Sequence, residues 1–278
     1  MKTIVAHLSV DLDAVLGIWL LKRFRPGWED AQLKFVPAGE TLDNRPVDED
    51  PEIVHVDTGL GVFDHHQIKD TNTSAAKLVF DYLAKNKQIK THDREPLSRM
   101  VDFTVQIDNF KEVFFPEPTS DIYDFSLYQI IEGLKGIIIA DEERCELGFK
   151  LLDAVLQTFR NKVKAEEEIQ QGLIFQSHWG KSLALETHNE EALRLALLMG
   201  FKLVVRKDPE LGNVRVKTRP GEELDLTPLY QKLKEADPQA TWFFHISKTM
   251  LLNGSSKDPK SVPSSLTLKK VVEIIKKI

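Results

Sequence analysis

The chain has 278 residues, of which 42% are apolar and 29% charged; this composition excludes a disordered, collagen-like or repeat protein and predicts a globular protein with two domains. The formal net charge of -6 argues against a protein held on nucleic acid or an anionic membrane by bulk charge. The charge is unevenly spread: residues 1–172 carry 20 basic and 31 acidic side chains, and residues 173–278 carry 17 and 12.

The cysteine content and the start of the chain indicate a cellular compartment. A single cysteine, Cys145, excludes an internal disulfide and a cysteine-type zinc site, so a reducing cytosol is expected. The first residues, MKTIVAHLSVDLD, reach charged side chains too early to form the apolar core of a signal peptide. No apolar run approaches the roughly 18 residues of a membrane span. We therefore expect a soluble cytoplasmic protein with no membrane partner.

The first half of the chain alternates strand and helix patterns. Short apolar runs predict strands at 3–8, 33–37 and 53–56, and helical spacing of apolar residues predicts helices at 12–24, 74–85, 96–110, 124–134 and 142–171. Strands that alternate with helices are typical of a mainly parallel sheet with helices on its faces. An α/β domain is therefore expected over residues 1–165, with a connecting helix at its end.

Shorter elements follow after Gly172. The patterns predict strands at 182–186, 202–206, 213–218 and 241–246 and helices at 190–198, 228–235 and 266–278. Residues 253–265 are rich in Gly, Ser, Pro and Lys, which is typical of a loop. These elements predict a smaller α+β domain over residues 173–278.

Carboxylates and imidazoles gather where two of the predicted strands end. Seven such side chains stand in two groups: His7, Asp11 and Asp13 after the first strand, and Asp57, Asp64, His65 and His66 after a later one. Capping of the following helix would need only one of the carboxylates in the first group. Because ligands of open α/β sheets bind at the carboxyl ends of the strands, both groups can converge on one crevice.

The residue types of this cluster indicate a metal site. Taken singly, each residue is typical of a helix cap, a turn or a hydrogen-bonded histidine. Together, imidazoles and several carboxylates without a thiolate suit Mn²⁺, and also Mg²⁺ or Fe²⁺. The number of oxygen donors predicts two ions. Two such ions would activate a water molecule near neutral pH and stabilise a phosphoryl group under in-line attack.

In this order, the seven residues resemble the first three motifs of the DHH phosphoesterases. That family includes RecJ-type nucleases, oligoribonucleases, cyclic-dinucleotide phosphodiesterases and manganese pyrophosphatases. Only eight positions separate Asp57 from His65, a closer spacing than in RecJ-like members. The run DTGLGVFDHHQ, followed by a helix and by QIDN, looks more like the Myg-type exonucleases, although their first motif differs. The chain therefore resembles both groups.

The resemblance implies a role for each residue of the cluster. The implied metal ligands surround two Mn²⁺ or Mg²⁺ ions: His7 and Asp11 for the first ion, Asp13, His65 and Asp108 for the second, and Asp57 as the bridge between them. His66 is expected to face the substrate phosphate as a proton donor, and Asp64 to orient the histidine pair. Asp102, on the same predicted helix as Asp108, is an alternative last ligand. His55 shares a strand face with Asp57, as a neighbour of the site or as a hydrogen-bonded strand histidine.

The second domain carries candidate substrate-binding residues. Alternation along a strand places Arg215, Lys217 and Arg219 on one face, which suits phosphate recognition; a charged edge strand is the alternative. The run TWFFHISKTMLLNGS resembles an FVH and GG element of Myg-type proteins and, more loosely, the glycine-rich loop of the DHH-associated domain. The further substrate contacts implied by this resemblance are His245, Lys248, Asn253, Gly254 and Ser255.

These features predict a manganese-dependent phosphodiesterase, a hydrolase that acts on short single-stranded nucleic acids as an exonuclease or oligoribonuclease. One alternative is an enzyme for a small nucleotide, such as a bisphosphate or a cyclic dinucleotide, or for pyrophosphate. An alternative from a different class is a metal-binding scaffold without turnover. A homodimer stays an open alternative, because the sequence does not set the oligomeric state.

Overall fold

The computed structural model describes residues 1–221, 224–254 and 258–278. These residues form two compact units, Met1–Arg160 and Asn161–Ile278. The boundary between the units lies within one long helix, Asp141–Gln171.

The first unit is built on a parallel sheet. Its strands are β1 (Thr3–His7), β2 (Gln32–Val36) and β3 (Ile53–His55), in the order β2-β1-β3. The helices that accompany it are α1 (Leu12–Phe24), α2 (Ala75–Lys85), α3 (Thr91–Asp108), α4 (Leu127–Leu134) and α5 (Asp141–Gln171), of which α5 continues into the second unit. The expected α/β fold, with a parallel sheet flanked by helices, is confirmed.

Helix α1 forms the centre of this unit. Residues 12–21 are all buried, which is typical of a helix enclosed by other elements on every side. At its start, Asp11 Oδ1 accepts a hydrogen bond from the Ala14 N–H at 3.1 Å, as expected of an N-cap. At its end, Lys22 and Arg23 lie in the last turn, where cations interact favourably with the helix dipole. The N-cap hydrogen bond holds Asp11 at the start of α1, next to the end of β1.

The second unit contains a six-stranded mixed sheet. Its strands are β4 (Leu173–Ser177), β5 (Gly180–Glu186), β6 (Leu203–Lys207), β7 (Val214–Thr218), β8 (Trp242–Phe244) and β9 (Met250–Asn253), in the order β4-β5-β6-β7-β9-β8. Only β5 and β6 pair in parallel among these neighbours. The helices are α6 (Glu190–Leu198), α7 (Thr227–Ala236) and α8 (Leu268–Ile275), which confirms the α+β class.

Apolar residues cover parts of both faces of this sheet. Val205 and Val216 belong to the core that also contains Leu229 of α7 and Val271 of α8. Side chains alternate along a strand, and Val204 accordingly belongs to a different core, with residues of α6 and the end of α5.

Some elements differ from the sequence-based expectation. Helix α3 begins five residues before Pro96 and continues through it, whereas the expected helix began at that proline. Strands β4 and β9 were not predicted, because their short sequences lack a clear alternation. Among the residues that the structure describes, no helix has the length and apolar character needed to span a membrane.

Candidate metal centre

The first group of site residues follows β1. His7 is the last residue of that strand, and four residues later Asp11 caps α1. Asp13, in the first turn of α1, is buried and accepts hydrogen bonds from the N–H groups of Ala75 and Ala76 at 2.7 and 3.0 Å. The Asp13 carboxylate therefore holds the start of α2 against the start of α1.

The second group follows β3. Asp57 lies in a left-handed conformation, with φ of 59°, and its N–H donates to the Phe63 carbonyl at 3.0 Å. This hydrogen bond closes a tight turn that brings Asp64, His65 and His66 back towards the sheet edge. Because β1 and β3 are parallel neighbours, their carboxyl ends lie side by side, and the two groups meet there.

Asp57 is the centre of the cluster. Its Oδ2 lies 3.2 Å from His7 Nε2, and its Oδ1 lies 3.4 Å from His65 Nε2. Asp11 Oδ2 lies 3.8 Å from the same His7 nitrogen. One carboxylate thus faces two histidines, each with a different oxygen.

Asp108 completes the cluster from the end of α3. Its Oδ2 lies 3.4 Å from His65 Nε2, which also lies 3.8 Å from Asp13 Oδ2. The neighbouring Asn109 donates to the Thr73 carbonyl at 3.0 Å, which ties the end of α3 to the segment before α2. The alternative ligand Asp102 is exposed and accepts a hydrogen bond from Ser98 at 3.5 Å, so the structure brings Asp108 to the cluster.

The two histidines of the DHH motif have different surroundings. His66 is exposed, and its Nδ1 lies 2.7 Å from Asp64 Oδ1. Asp64 is buried and also accepts hydrogen bonds from the N–H groups of His66 and Leu60. Asp64 therefore orients His66, whereas His65 is positioned by Asp57 and Asp108.

His55 has a separate role. It is buried on β3, and its Nε2 accepts a hydrogen bond from the Leu42 N–H at 3.1 Å. Burial lowers the pKa of His55. Of the two interpretations of His55, the structure favours the hydrogen-bonded strand histidine.

The titration of the cluster reflects its excess of negative charge. The interaction with Asp57 raises the pKa of His65 to about 9. Burial lowers the pKa of His7, but the hydrogen bonds to Asp57 and to the Leu8 carbonyl and the charges of Asp11 and Asp57 together outweigh burial and raise this pKa to about 9. Burial raises the pKa of Asp108 to about 6, and burial with the charges of Asp57 and Asp108 raises the pKa of Asp13. The cluster of carboxylates thus stabilises positive charge on the groups that lie between them, here the two histidines.

The donor set fits divalent cations. Asp57 Oδ1 and His65 Nε2 are buried and have no hydrogen-bond partner among the described residues, which is uncommon for buried polar atoms. Three overlapping groups have ligand atoms within 4.8 Å of one another: His7, Asp11 and Asp57; Asp13, His65 and Asp108; and Asp57, His65 and His66. The first two groups match the two ligand sets that the family resemblance implies, and oxygen with imidazole suits Mn²⁺.

A crevice opens over the cluster. It has a volume of about 410 Å³ and is lined by His7, Asp57, Asp108 and His66, together with the backbone of Gly39 and other residues. A second cavity of about 290 Å³ lies against Asp11, Asp13 and Asp108 and is also lined by Glu112 and Glu132. The crevice is large enough for a small ligand.

One residue that supports this site was not found from the sequence. Asp141, the first residue of α5, is buried and accepts hydrogen bonds from the N–H groups of Ser9 and Val10 in the β1–α1 loop. An acidic residue at the start of a helix is common, so the sequence held no specific signal for this contact.

The candidate cations of the second unit lie on and after β7. Arg215 and Lys217 share one face of the strand, as expected, and both line a cavity of about 610 Å³. Arg219 follows the end of β7 and is exposed. Arg215 pairs with Glu190 at 2.5 Å, so its charge is partly compensated.

The residues expected near the glycine element differ in exposure. His245 Nδ1 lies 2.7 Å from Ser247 Oγ, and Lys248 pairs with Asp225 at 3.1 Å. The expectation that Asn253 contacts the substrate disagrees with its environment: it is fully buried, and its side chain bonds to Thr241, Val262 and Ser264 of its own chain.

Gly254 also has a structural explanation. It has φ of 74°, and a Cβ there would overlap the Asn213 side chain. A glycine is therefore required for the close approach of Asn213, whether or not a ligand binds. Ser255, the last expected substrate contact, lies outside the described residues.

No family model and no curated protein matches the sequence. A pGpG-specific phosphodiesterase, PggH from Vibrio cholerae, is similar in structure with a TM-score of 0.36 and 16% identity, over 92% of this chain and 94% of that protein. The DHH domain of a member of the s1p family of ribosomal proteins has a TM-score of 0.33 and 13% identity, over 99% of this chain and 86% of that one. The chain is thus similar over most of its length to a solved phosphodiesterase and to a solved DHH domain.

Proposed function

We propose that this chain is a DHH-type phosphoesterase, a metal-dependent phosphodiesterase that hydrolyses phosphate esters of short nucleic acids. The observation that carries the proposal is the position of Asp57, with one oxygen 3.2 Å from His7 and the other 3.4 Å from His65. A buried carboxylate that faces two separate groups of candidate ligands supports a bridging role between two cations.

Six residues would hold the two ions, and Mn²⁺ is the proposed metal. His7 and Asp11 would bind the first ion, Asp13, His65 and Asp108 would bind the second, and Asp57 would bind both. When bound, the ions would supply a nucleophile at neutral pH and stabilise the charge that develops on the phosphoryl group. The hydrogen bonds from Ala75 and Ala76 fix the Asp13 carboxylate before any ion arrives.

His66 is the proposed proton donor. Its Nδ1–H donates to the buried Asp64 carboxylate, which fixes the ring and leaves Nε2 available to the crevice. Water attacks phosphorus and loses a proton to the solvent, the phosphorus–oxygen ester bond breaks, and the leaving oxygen takes a proton from His66 Nε2, which then regains one from the solvent. Asp64 holds the ring in the orientation that this transfer needs.

Substrate phosphates are proposed to bind the cations on β7. Arg215 can bind two oxygens at once, and Lys217 adds a charge on the same strand face. Arg219, His245 and Lys248 stay candidates for the same task. Asn253 is left out, because its side chain is buried and fully used by its own chain.

A small nucleotide or pyrophosphate is the second candidate substrate. A crevice of about 410 Å³ lies in the usual range of small-molecule sites. The acidic wall formed by Glu112 and Glu132 beside the cluster disfavours a long polyanion in that direction.

A substrate panel tests the proposal. Purified protein is incubated with Mn²⁺, with Mg²⁺ or with EDTA, and with RNA and DNA pentamers, a dinucleotide, a nucleoside bisphosphate and pyrophosphate. We expect Mn²⁺-dependent release of mononucleotides that EDTA abolishes. Cleavage of only the small compounds would replace the nucleic-acid proposal with the second candidate. Oligonucleotide binding in Mn²⁺ without any product would indicate the non-catalytic scaffold.

A further inference from the structure

The loop between β1 and α1 carries the first proposed ligand group. Its residues 8–10 separate His7 from Asp11, and Ser9 lies in a left-handed conformation with φ of 61°. The Leu8 N–H donates to the Val36 carbonyl at 2.7 Å, which leaves the N–H groups of Ser9 and Val10 to be satisfied elsewhere. A loop this short transmits any shift of its backbone to both ligands.

The two remaining N–H groups are held by Asp141. Its Oδ2 accepts from Ser9 at 3.1 Å and its Oδ1 from Val10 at 2.9 Å, across more than 130 positions of sequence. Arg144, which is also buried, donates to Asp141 Oδ1 at 2.6 Å and compensates its charge. Hydrogen bonds to a buried ionised carboxylate are among the stronger ones in proteins.

We infer that Asp141 is a positioning residue for the metal ion held by His7 and Asp11, an inference that rests on the proposed function. Both of its oxygens are occupied by backbone N–H groups, and it belongs to none of the three ligand groups, so it acts through the loop. The other ion's group, Asp13, His65 and Asp108, is anchored separately by the start of α2 and the end of α3. Replacement of Asp141 should therefore weaken binding of the ion at His7 and Asp11 and leave binding of the other ion nearly unchanged.

Asp141→Asn is the test variant. The amide keeps the shape of the carboxylate but turns one of its two acceptors into a donor that faces an N–H, and it removes the charge opposite Arg144. Asp153→Asn is a matched control on the same helix: Asp153 accepts a hydrogen bond from Trp19 Nε1 of α1 at 2.9 Å but has no contact with the loop. Asp141→Ala serves as the second variant if the amide still holds the loop.

Mn²⁺ binding is measured by calorimetry and by electron paramagnetic resonance on folded protein at one fixed pH. We expect the wild type and Asp153→Asn to bind two ions. In Asp141→Asn, one ion should bind about 10- to 100-fold more weakly, the usual effect of losing a residue that supports a ligand, while the other changes by less than about threefold. Hydrolysis should show the same loss at limiting Mn²⁺ and recover at high Mn²⁺.

Two results separate the possible failures. If the wild type binds no Mn²⁺, the proposed metal site itself is wrong. If the wild type binds two ions and both Asp141 variants bind them equally well, or lose both to the same extent while staying folded, Asp141 does not position the first ion and the inference is overturned.

Discussion

The backbone of Asp57 explains how one carboxylate can face two histidines. A residue other than glycine rarely has positive φ, and asparagine and aspartate tolerate it best, so φ of 59° at this position is accessible to both. The conformation turns the chain away from β3 and directs the side chain into the cluster. Replacement of Asp57 by asparagine should therefore keep the turn while removing the charge.

Asp57→Asn should lower Mn²⁺-dependent hydrolysis by about 100-fold or more, because a bridging ligand matters at least as much as the residues that support ligands. The turn should be preserved, but loss of the buried carboxylate that pairs with His7 and His65 should lower the free energy of unfolding without metal by about 1 to 3 kcal/mol near neutral pH. Initial rates and urea unfolding measure the two effects. Asp81→Asn, an exposed carboxylate on α2, is the control; activity of Asp57→Asn near that of Asp81→Asn would contradict the bridging role.

Cys145 should be inert in the folded protein. Burial, with the charge of Asp141, raises the pKa of its thiol to about 12, so about one molecule in 10⁴ carries the reactive thiolate at pH 8. A disulfide reagent should therefore titrate no thiol in native protein and one thiol per chain in denaturant, measured by absorbance. Reaction of the native protein within minutes would show that this part of α5 opens readily.

At the scale of elements, predictability followed the range of the interactions. Helix α1 and the convergence of the residues after β1 and β3 could be predicted, because apolar spacing is local and parallel strands bring their ends together by rule, whereas the place of Asp108 came only from the family resemblance. The contact of Asp141 with Ser9 could not, since it joins positions far apart and uses a common residue type. The burial of Asn253 was not expected, because an asparagine beside a glycine is typical of an exposed turn, whereas here the strand pairing of β9 buries it.

The structural role of Gly254, at the end of β9, can be tested separately. Gly254→Ala should destabilise the protein through both its positive φ and the overlap with Asn213. Gly200→Ala, after α6, has a positive φ but open space around its Cβ, so it isolates the backbone effect. We expect Gly200→Ala to lower the free energy of unfolding by about 1 kcal/mol, and Gly254→Ala to lower it by about 1 to 3 kcal/mol more. Urea unfolding measures both, and equal costs would show that Asn213 moves aside.

At the scale of the whole molecule, all proposed metal ligands belong to the first unit, Met1–Arg160. Metal binding should therefore stabilise that unit by about 2.7 kcal/mol for each site when free Mn²⁺ is 100 times the dissociation constant. Hydrogen exchange with Mn²⁺ and with EDTA should show slower exchange in β1, β3 and the start of α2, and unchanged exchange in β7 and β9. In Asp57→Asn, exchange with Mn²⁺ should equal exchange with EDTA. Equal protection of both units by Mn²⁺ in the wild type would contradict a metal site confined to the first unit.

The contact between Asp141 and the β1–α1 loop also has a consequence for synthesis of the chain. The proposed ligands His7, Asp11 and Asp57 are all present once 57 residues have been made, but the carboxylate that holds the loop between His7 and Asp11 comes 84 positions after Asp57. At ordinary rates of translation this delay is about 4 to 17 s. During that interval the nascent chain carries the donors without the support that fixes their geometry, so on the proposed function we expect ions captured then to bind more weakly than in the finished protein.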